Sequence, residues 1–335
     1  MTPASTLSMP ELRCHVQPAM RAALDRLDRM NRLVAGYQLG FWNADGSPAL
    51  PGGKELPAWL ALLAARAAGG RYSSGVPAGV AVEFVHNFSL IHDDVMEGNP
   101  QRHGRPTSWA VFGVGRALLA GDALLALAAE IVAPADRGTA AVQRLGGAVR
   151  RLTAGHAAEL DIEQRESLDL DECLGIAADK TGALLSCSGA LGTLAGGGPP
   201  QLVEKMASFG GHLGVAVQLV DDVLGIWGDV QVTGKPAGAD LRAGKRTLPV
   251  VRAAMGDPFT ARAVSEFYRR RSPHSATDVQ RIADLVEAAG GRAWAGDQAW
   301  REATAALTAL HGAAISAAAR SDLHKLAEFV VEQGR

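Results

Sequence analysis

Apolar residues recur along this chain at three- and four-residue intervals from near one end to the other. No segment alternates apolar and polar positions at period two for any length. That periodicity predicts an all-α protein, one domain of about ten or more helices. One helix-period stretch runs from about Ala19 to Tyr37, with Leu24, Leu27, Met30 and Leu33 on one face. The segment Asn43 to Gly53, full of Gly, Pro, Asp and Ser, interrupts the pattern. It resumes at Trp59 and continues almost to the C-terminus. Breaks are expected near Gly69-Gly70, Asn99 to Arg105, Pro134 to Gly138, Gly196 to Pro200, Gly228 to Gly244, Arg271 to Thr277 and Gly290-Gly291. Residues 1–17, where Pro, Ser and Thr are frequent and periodicity is weak, are expected to be disordered, leaving 18–335 as the folded domain.

Composition narrows this reading. The chain is 47% hydrophobic and only 5% aromatic, rich in Ala, Leu and Gly, which suits closely packed helices. A net charge of −2 points to neither a nucleic-acid surface nor a polybasic membrane anchor. The longest uncharged stretch, Thr181 to Val203, is broken by several Gly and by Pro199-Pro200. It reads as a buried helix and a loop, not a membrane span. Cys14, Cys173 and Cys187 have neither metal-ligand spacing nor an even count, and the N-terminus shows no signal pattern. A reducing cytoplasm is the expected compartment.

Two aspartate pairs break the apolar pattern, Asp93-Asp94 and Asp221-Asp222, each inside a run that reads as a buried helix. Carboxylates are rarely buried unless paired or bound to metal. Two such clusters facing each other would suit Mg²⁺, which takes a few carboxylates and leaves positions for water and substrate phosphates. Glu97 lies four residues after Asp93, on the same helix face. Basic residues follow each cluster: Arg102, His103 and Arg105 after the first; Lys235, Lys245 and Arg246 in a Gly-rich loop after the second. Lys180 adds a third basic point. Acidic cluster, then basic loop, is the charge order that a metal–diphosphate site needs.

These segments resemble the polyprenyl synthetase family, the head-to-tail prenyl diphosphate synthases. The family's first motif, Asp-Asp-x-x-Asp and then Arg-Arg-Gly-x-Pro-Thr, is matched by Asp93 to Glu97 and Arg102 to Thr107. Its second motif and loop are matched by Asp221 to Gly225 and Gly228 to Pro249. Leu119 to Leu125, Lys180 to Leu184 and Gly52-Gly53-Lys54 match further. The resemblance implies a single-domain isoprenoid synthase fold of antiparallel helices around a central apolar pocket. It implies three Mg²⁺ ions held by Asp93, Asp94, Glu97, Asp221 and Asp222, and an allylic prenyl diphosphate held by Arg102, Lys180, Lys235 and Lys245. Gln218 and Thr181 would line the reaction zone. Phe88 and Ser89, beneath the growing chain, would limit it to C15–C20. A homodimer is implied as well.

Departures fall on the second substrate. Family members that elongate hold isopentenyl diphosphate with a Lys, an upstream His and two Arg. Lys54 and His86 stand at the first two positions; Pro57 and His103 replace the arginines. Each lost charge-assisted contact is worth about 1.5–3 kcal/mol, which lowers affinity by about two to four orders of magnitude. Glu97 replaces the first motif's last Asp, and Gly225 the second's. The expectation drawn from this is a terpene-synthase-like activity that ionises the allylic diphosphate alone. Chain elongation is the alternative. A non-catalytic partner subunit is disfavoured because both aspartate pairs are kept. His92 reads as orienting a carboxylate or packing. Glu159 and Asp161 read as contacts to a lysine or metal, or as surface. Trp109, Trp227 and Phe112 read as packing or as cation stabilisers.

Overall fold

The computed structural model describes residues 9–49, 55–102, 104–134, 137–162, 165, 168–230, 236–270 and 274–334. Helices account for nearly all of its regular structure: α1 (Met9–Leu24), α2 (Arg29–Gln38), α3 (Leu56–Ala67), α4 (Val76–Met96), α5 (Ser108–Phe112), α6 (Val114–Val132), α7 (Gly138–Ile162), α8 (Leu170–Ala177), α9 (Ala183–Ala195) and α10 (Pro200–Trp227). After these come Ala239–Arg242, Leu248–Gly256, Pro258–Arg269, Ala276–Ala288, Gly291–Ala309 and Ala317–Glu332. Among the described residues the sole sheet is a two-strand hairpin, Gln101–Arg102 against Arg105–Pro106.

Helix ends follow local chemistry. The stretch expected as one helix from Ala19 to Tyr37 is two, because the Asp28 carboxylate accepts the N–H groups of Met30 and Asn31 at 3.0 and 3.2 Å and starts a new helix there. Residues 9–17, expected to be disordered, are helical and continue through Pro18; residues 1–8 lie outside the described residues. Asp257 caps the helix Pro258–Arg269 through the Thr260 N–H, and Ser275 caps Ala276–Ala288 through the Asp278 N–H. α10 is long and apolar enough to cross a bilayer by length and composition, but 61% of its most apolar window is buried inside the protein, as in a core helix.

The chain divides into two compact units. One comprises Met1–Val149, Leu184–Gly210 and Ala309–His324; the other comprises Arg150–Ala183, Gly211–Thr308 and Lys325–Arg335. In the first, α4 is buried along most of its length and packs chiefly on α6 and α3. Small residues let the backbones approach. A Cβ at Gly192 in α9 would stand 2.1 Å from the carbonyl oxygen of Ala61 in α3. Gly192→Ala is expected to cost about 1–3 kcal/mol through forced separation of these helices, seen as a lower urea midpoint with an unchanged m-value. In the second unit, Ile226, Leu241, Val250, Val264, Phe267, Ile282 and Val286 form a shared core.

Glu83, on α4, is fully buried and accepts the Ala58 N–H at 3.0 Å, capping the first turn of α3. Burial pushes its pKa up to about 8, further raised by Glu55, although the Ala58 bond opposes the shift. The folded state therefore keeps a proton that the unfolded chain has lost above its ordinary value of 4.5. Stability is fullest below that value and falls as pH rises towards 8, by about 1 kcal/mol per pH unit. Glu83→Gln keeps an acceptor for Ala58 and removes the titration. Urea midpoints measured between pH 5 and 8 should fall for the parent and stay flatter in the variant.

Candidate active site

The first acidic cluster occupies the C-terminal turn of α4. Asp93 and Asp94 are both buried, 7% and 2% exposed. Asp94 accepts the Arg102 Nε at 3.0 and 3.2 Å, and an Arg102 terminal nitrogen lies 3.0 Å from the same carboxylate. Burial outweighs this pull and leaves the Asp94 pKa above the usual carboxylate range. Glu97 caps the helix and accepts the Asn99 side-chain amide at 2.5 Å. The hairpin that carries Arg102 is pinned at its base: the Thr107 hydroxyl and Trp109 Nε1 both donate to the Asn99 carbonyl at 2.9 Å, and the Tyr37 hydroxyl donates to the Pro106 carbonyl at 2.6 Å. Arg105 lies over the Tyr37 ring, 4.6 Å from its centroid.

Upstream on α4, Phe88 and Ser89 are buried and His86 is half-buried; the Ser89 hydroxyl donates to the His86 carbonyl at 2.8 Å. The His92 ring lies 4.6 Å from that of Phe88, and its Nε2 is 3.5 Å from Asp122 Oδ1. Gly121 makes room for it, since a Cβ there would come within 2.7 Å of His92 Nε2.

The second cluster belongs to the other unit. Asp222 is buried and accepts the Leu248 N–H at 2.9 Å and the Gln218 side-chain amide at 2.7 Å. Burial raises its pKa to about 7 against those two bonds, with Asp240 and Glu159 adding to the rise. Asp221, its neighbour, is exposed. Thr181 donates its hydroxyl to Gln218 Oε1 at 2.7 Å, so Thr181, Gln218 and Asp222 form one chain of bonds. Lys180 is paired with Glu159 of α7. Lys180 and Thr181 sit in a π-helical turn, Ala178–Gly182, a geometry that re-aims side chains. Glycines admit the neighbouring backbones: a Cβ at Gly155 would meet the Lys180 nitrogen at 2.6 Å, and one at Gly214 would meet the Gly182 Cα at 2.5 Å.

Each sequence-predicted residue therefore has a place within its own unit, apart from Lys54, His103 and Lys235, which lie outside the described residues. Lys245 is half-buried, and its carbonyl accepts the Tyr268 hydroxyl at 2.8 Å. Asp161 is exposed. Trp109 secures the hairpin, Phe112 packs edge-on against Tyr37, and Trp227 packs against the second unit's core. Among the described residues, no three His, Cys, Asp or Glu side chains gather closely enough to hold an ion by themselves. The donors are all carboxylate oxygens in pairs, which fits Mg²⁺ completed by water and phosphate oxygens better than it fits a softer or fully protein-caged metal. Sequence reasoning gave no role to Glu83, Gly121 or Asp240.

Helices with carboxylate pairs at these motifs, each followed by a basic loop, define an all-α isoprenoid synthase. The chain belongs to the polyprenyl synthetase family, whose profile matches residues 47–286. It is 40% identical over 324 residues to a (2E,6E)-farnesyl diphosphate synthase of Mycobacterium bovis, covering 95% of this chain and 90% of that one. It is 42% identical over 278 residues to a geranylgeranyl diphosphate synthase of Mycobacterium tuberculosis, covering 82% and 79%. Among solved structures, a polyprenyl synthetase of Streptomyces coelicolor superposes with a TM-score of 0.90 at 39% identity, covering 96% of this chain and 98% of the other. A geranylgeranyl pyrophosphate synthase of Corynebacterium glutamicum, complexed with isoprenyl diphosphate and magnesium, superposes at 0.81 with 25% identity, covering 98% and 100%.

These relatives correct the expectation of terpene-synthase-like activity. At about two-fifths identity over most of the chain they are chain-elongating synthases. The expectation gave decisive weight to two lost guanidiniums. Losing two contacts lowers an affinity; it does not change the class of reaction that the retained aspartates serve.

Proposed function

We propose that this enzyme is a chain-elongating prenyltransferase, condensing an allylic prenyl diphosphate with isopentenyl diphosphate to give C15–C20 products. The observation that carries the proposal is the 40% identity to a farnesyl diphosphate synthase across 95% of the chain. Asp93, Asp94 and Glu97 at the first cluster, and Asp221 and Asp222 at the second, would each hold Mg²⁺, three ions in all by the family resemblance. When bound, the metal screens the diphosphate and stabilises the charge that develops as it leaves. Arg102, Lys180, Lys235 and Lys245 bind the allylic diphosphate. The Thr181–Gln218–Asp222 chain of bonds holds polar groups still beside the reacting carbon, where reorganisation would raise the barrier. Lys54 and His86 bind isopentenyl diphosphate, with Pro57 and His103 weakening that subsite. Phe88, backed by His92, closes the space beneath the growing chain. The enzyme acts as a homodimer in a reducing compartment, where its three free cysteines are stable.

Supplied with geranyl or farnesyl diphosphate, isopentenyl diphosphate and Mg²⁺, the enzyme should give C15–C20 prenyl diphosphates on chromatography. Its Michaelis constant for isopentenyl diphosphate should be high. Products longer than C20 would contradict the role given to Phe88.

A further inference from the structure

Phe259 is the most exposed large apolar side chain among the described residues, at 69%, and Met255 is 56% exposed. The two flank one turn. The helix Leu248–Gly256 ends there, and Pro258–Arg269 begins two residues later. These helices pack on each other, so the turn is the tip of a helical hairpin. Gly256 and Pro258 at the tip are exposed as well. Leaving such side chains in water forgoes the gain from burying them.

Arginines flank this tip. A Cβ built at Gly256 would lie 3.3 Å from a terminal nitrogen of Arg252, so that guanidinium reaches the turn itself. Arg262 stands one helical turn after Phe259 on the same face, its side chain 82% exposed. Arg269 is exposed and shares that face; Arg270 lies 3.7 Å from Asp278. From Leu248 to Arg270 the chain carries four arginines against Asp257 and Glu266, although its overall charge is −2. Both acids are engaged. Asp257 accepts the Thr260 N–H and hydroxyl, each at 2.8 Å, where the positive end of a helix offsets its charge. Glu266 pairs with Arg262 at 3.0 Å, an exposed contact of the kind that holds neither partner firmly.

From this grouping we infer that the hairpin tip docks the enzyme on an anionic lipid surface. Phe259 and Met255 enter the boundary between headgroups and acyl chains, and Arg252, Arg262 and Arg269 bind headgroup phosphates. Large apolar side chains with arginines beside them are the pattern of a segment that lies in that boundary, and the guanidinium fork matches phosphate oxygens. A projecting tip suits a fluid surface. A stable protein partner would need a wider contact, about 800 Å² on each side. The tip lies outside the residues assigned to the reaction, so the inference stands apart from the proposed function.

Co-sedimentation of the full chain with vesicles tests this, using phosphatidylcholine alone and phosphatidylcholine mixed equally with phosphatidylglycerol. The parent should pellet with the anionic vesicles, bind the neutral ones far less, and be released as salt rises from about 0.1 to about 0.5 M. Met255→Ser with Phe259→Ser should lower the partition coefficient on anionic vesicles about tenfold or more. Arg252→Gln with Arg262→Gln should lower it about twentyfold, at about fivefold for each arginine. Both variants should keep the parent's unfolding temperature and its turnover in vesicle-free solution. A parent that stays in solution with anionic vesicles, a parent that binds neutral vesicles equally, or variants that pellet like the parent would overturn the inference. So would a Met255→Ser, Phe259→Ser variant that elutes as a smaller species than the parent in gel filtration, because the tip would then be covered by a second copy of the chain.

Discussion

Asp221→Ala is expected to cut turnover by about a hundred- to a thousandfold, the scale seen when a group that stabilises transition-state charge is removed. Asp221 is exposed, so its loss leaves the core intact. Circular dichroism and the unfolding midpoint should match the parent. Asp93→Ala should reach a similar loss of turnover, although Asp93 is buried and its removal will also register in stability. Chelator should abolish the parent's activity, and added Mg²⁺ should restore it. Turnover that survives excess chelator would remove the metal from the account.

Arg102→Ala is expected to act twice. Arg102 is the charged partner of Asp94, whose side chain is 2% exposed. Removing one member of a buried pair leaves the other uncompensated, at a cost of about 3–5 kcal/mol. The same change weakens allylic diphosphate binding by about 1.5–3 kcal/mol, or about ten- to a hundredfold. The two effects separate in a double variant. Asp94→Asn with Arg102→Ala should regain much of the unfolding midpoint and none of the diphosphate affinity. Recovery of both would make Arg102 a structural partner and nothing more.

The helical architecture was legible because its signals are local. Gly and Pro clusters at Gly69-Gly70, Asn99 to Arg105 and Gly196 to Pro200 do mark helix ends. The break after Leu24 was not, because Leu27, Met30 and Leu33 continue the apolar spacing across it; a single capping bond set, that of Asp28, decides the matter. The hairpin at Gln101–Pro106 escaped a period-two search because each strand is two residues long. In the site, the aspartates and basic residues were legible as charges inside apolar runs. Their partners were not: Lys180 meets Glu159 twenty-one residues away and Asp222 meets the Leu248 N–H twenty-six away, separations no spacing rule predicts.

The reaction class rests on whether bond breaking at the allylic diphosphate is tied to a second substrate. Single-turnover quenching with farnesyl diphosphate, Mg²⁺ and radiolabelled isopentenyl diphosphate measures this directly. Pyrophosphate release should require isopentenyl diphosphate and match label incorporated into the lengthened chain one for one. Pyrophosphate released at the same rate without isopentenyl diphosphate, with no label entering a prenyl diphosphate, would contradict chain elongation.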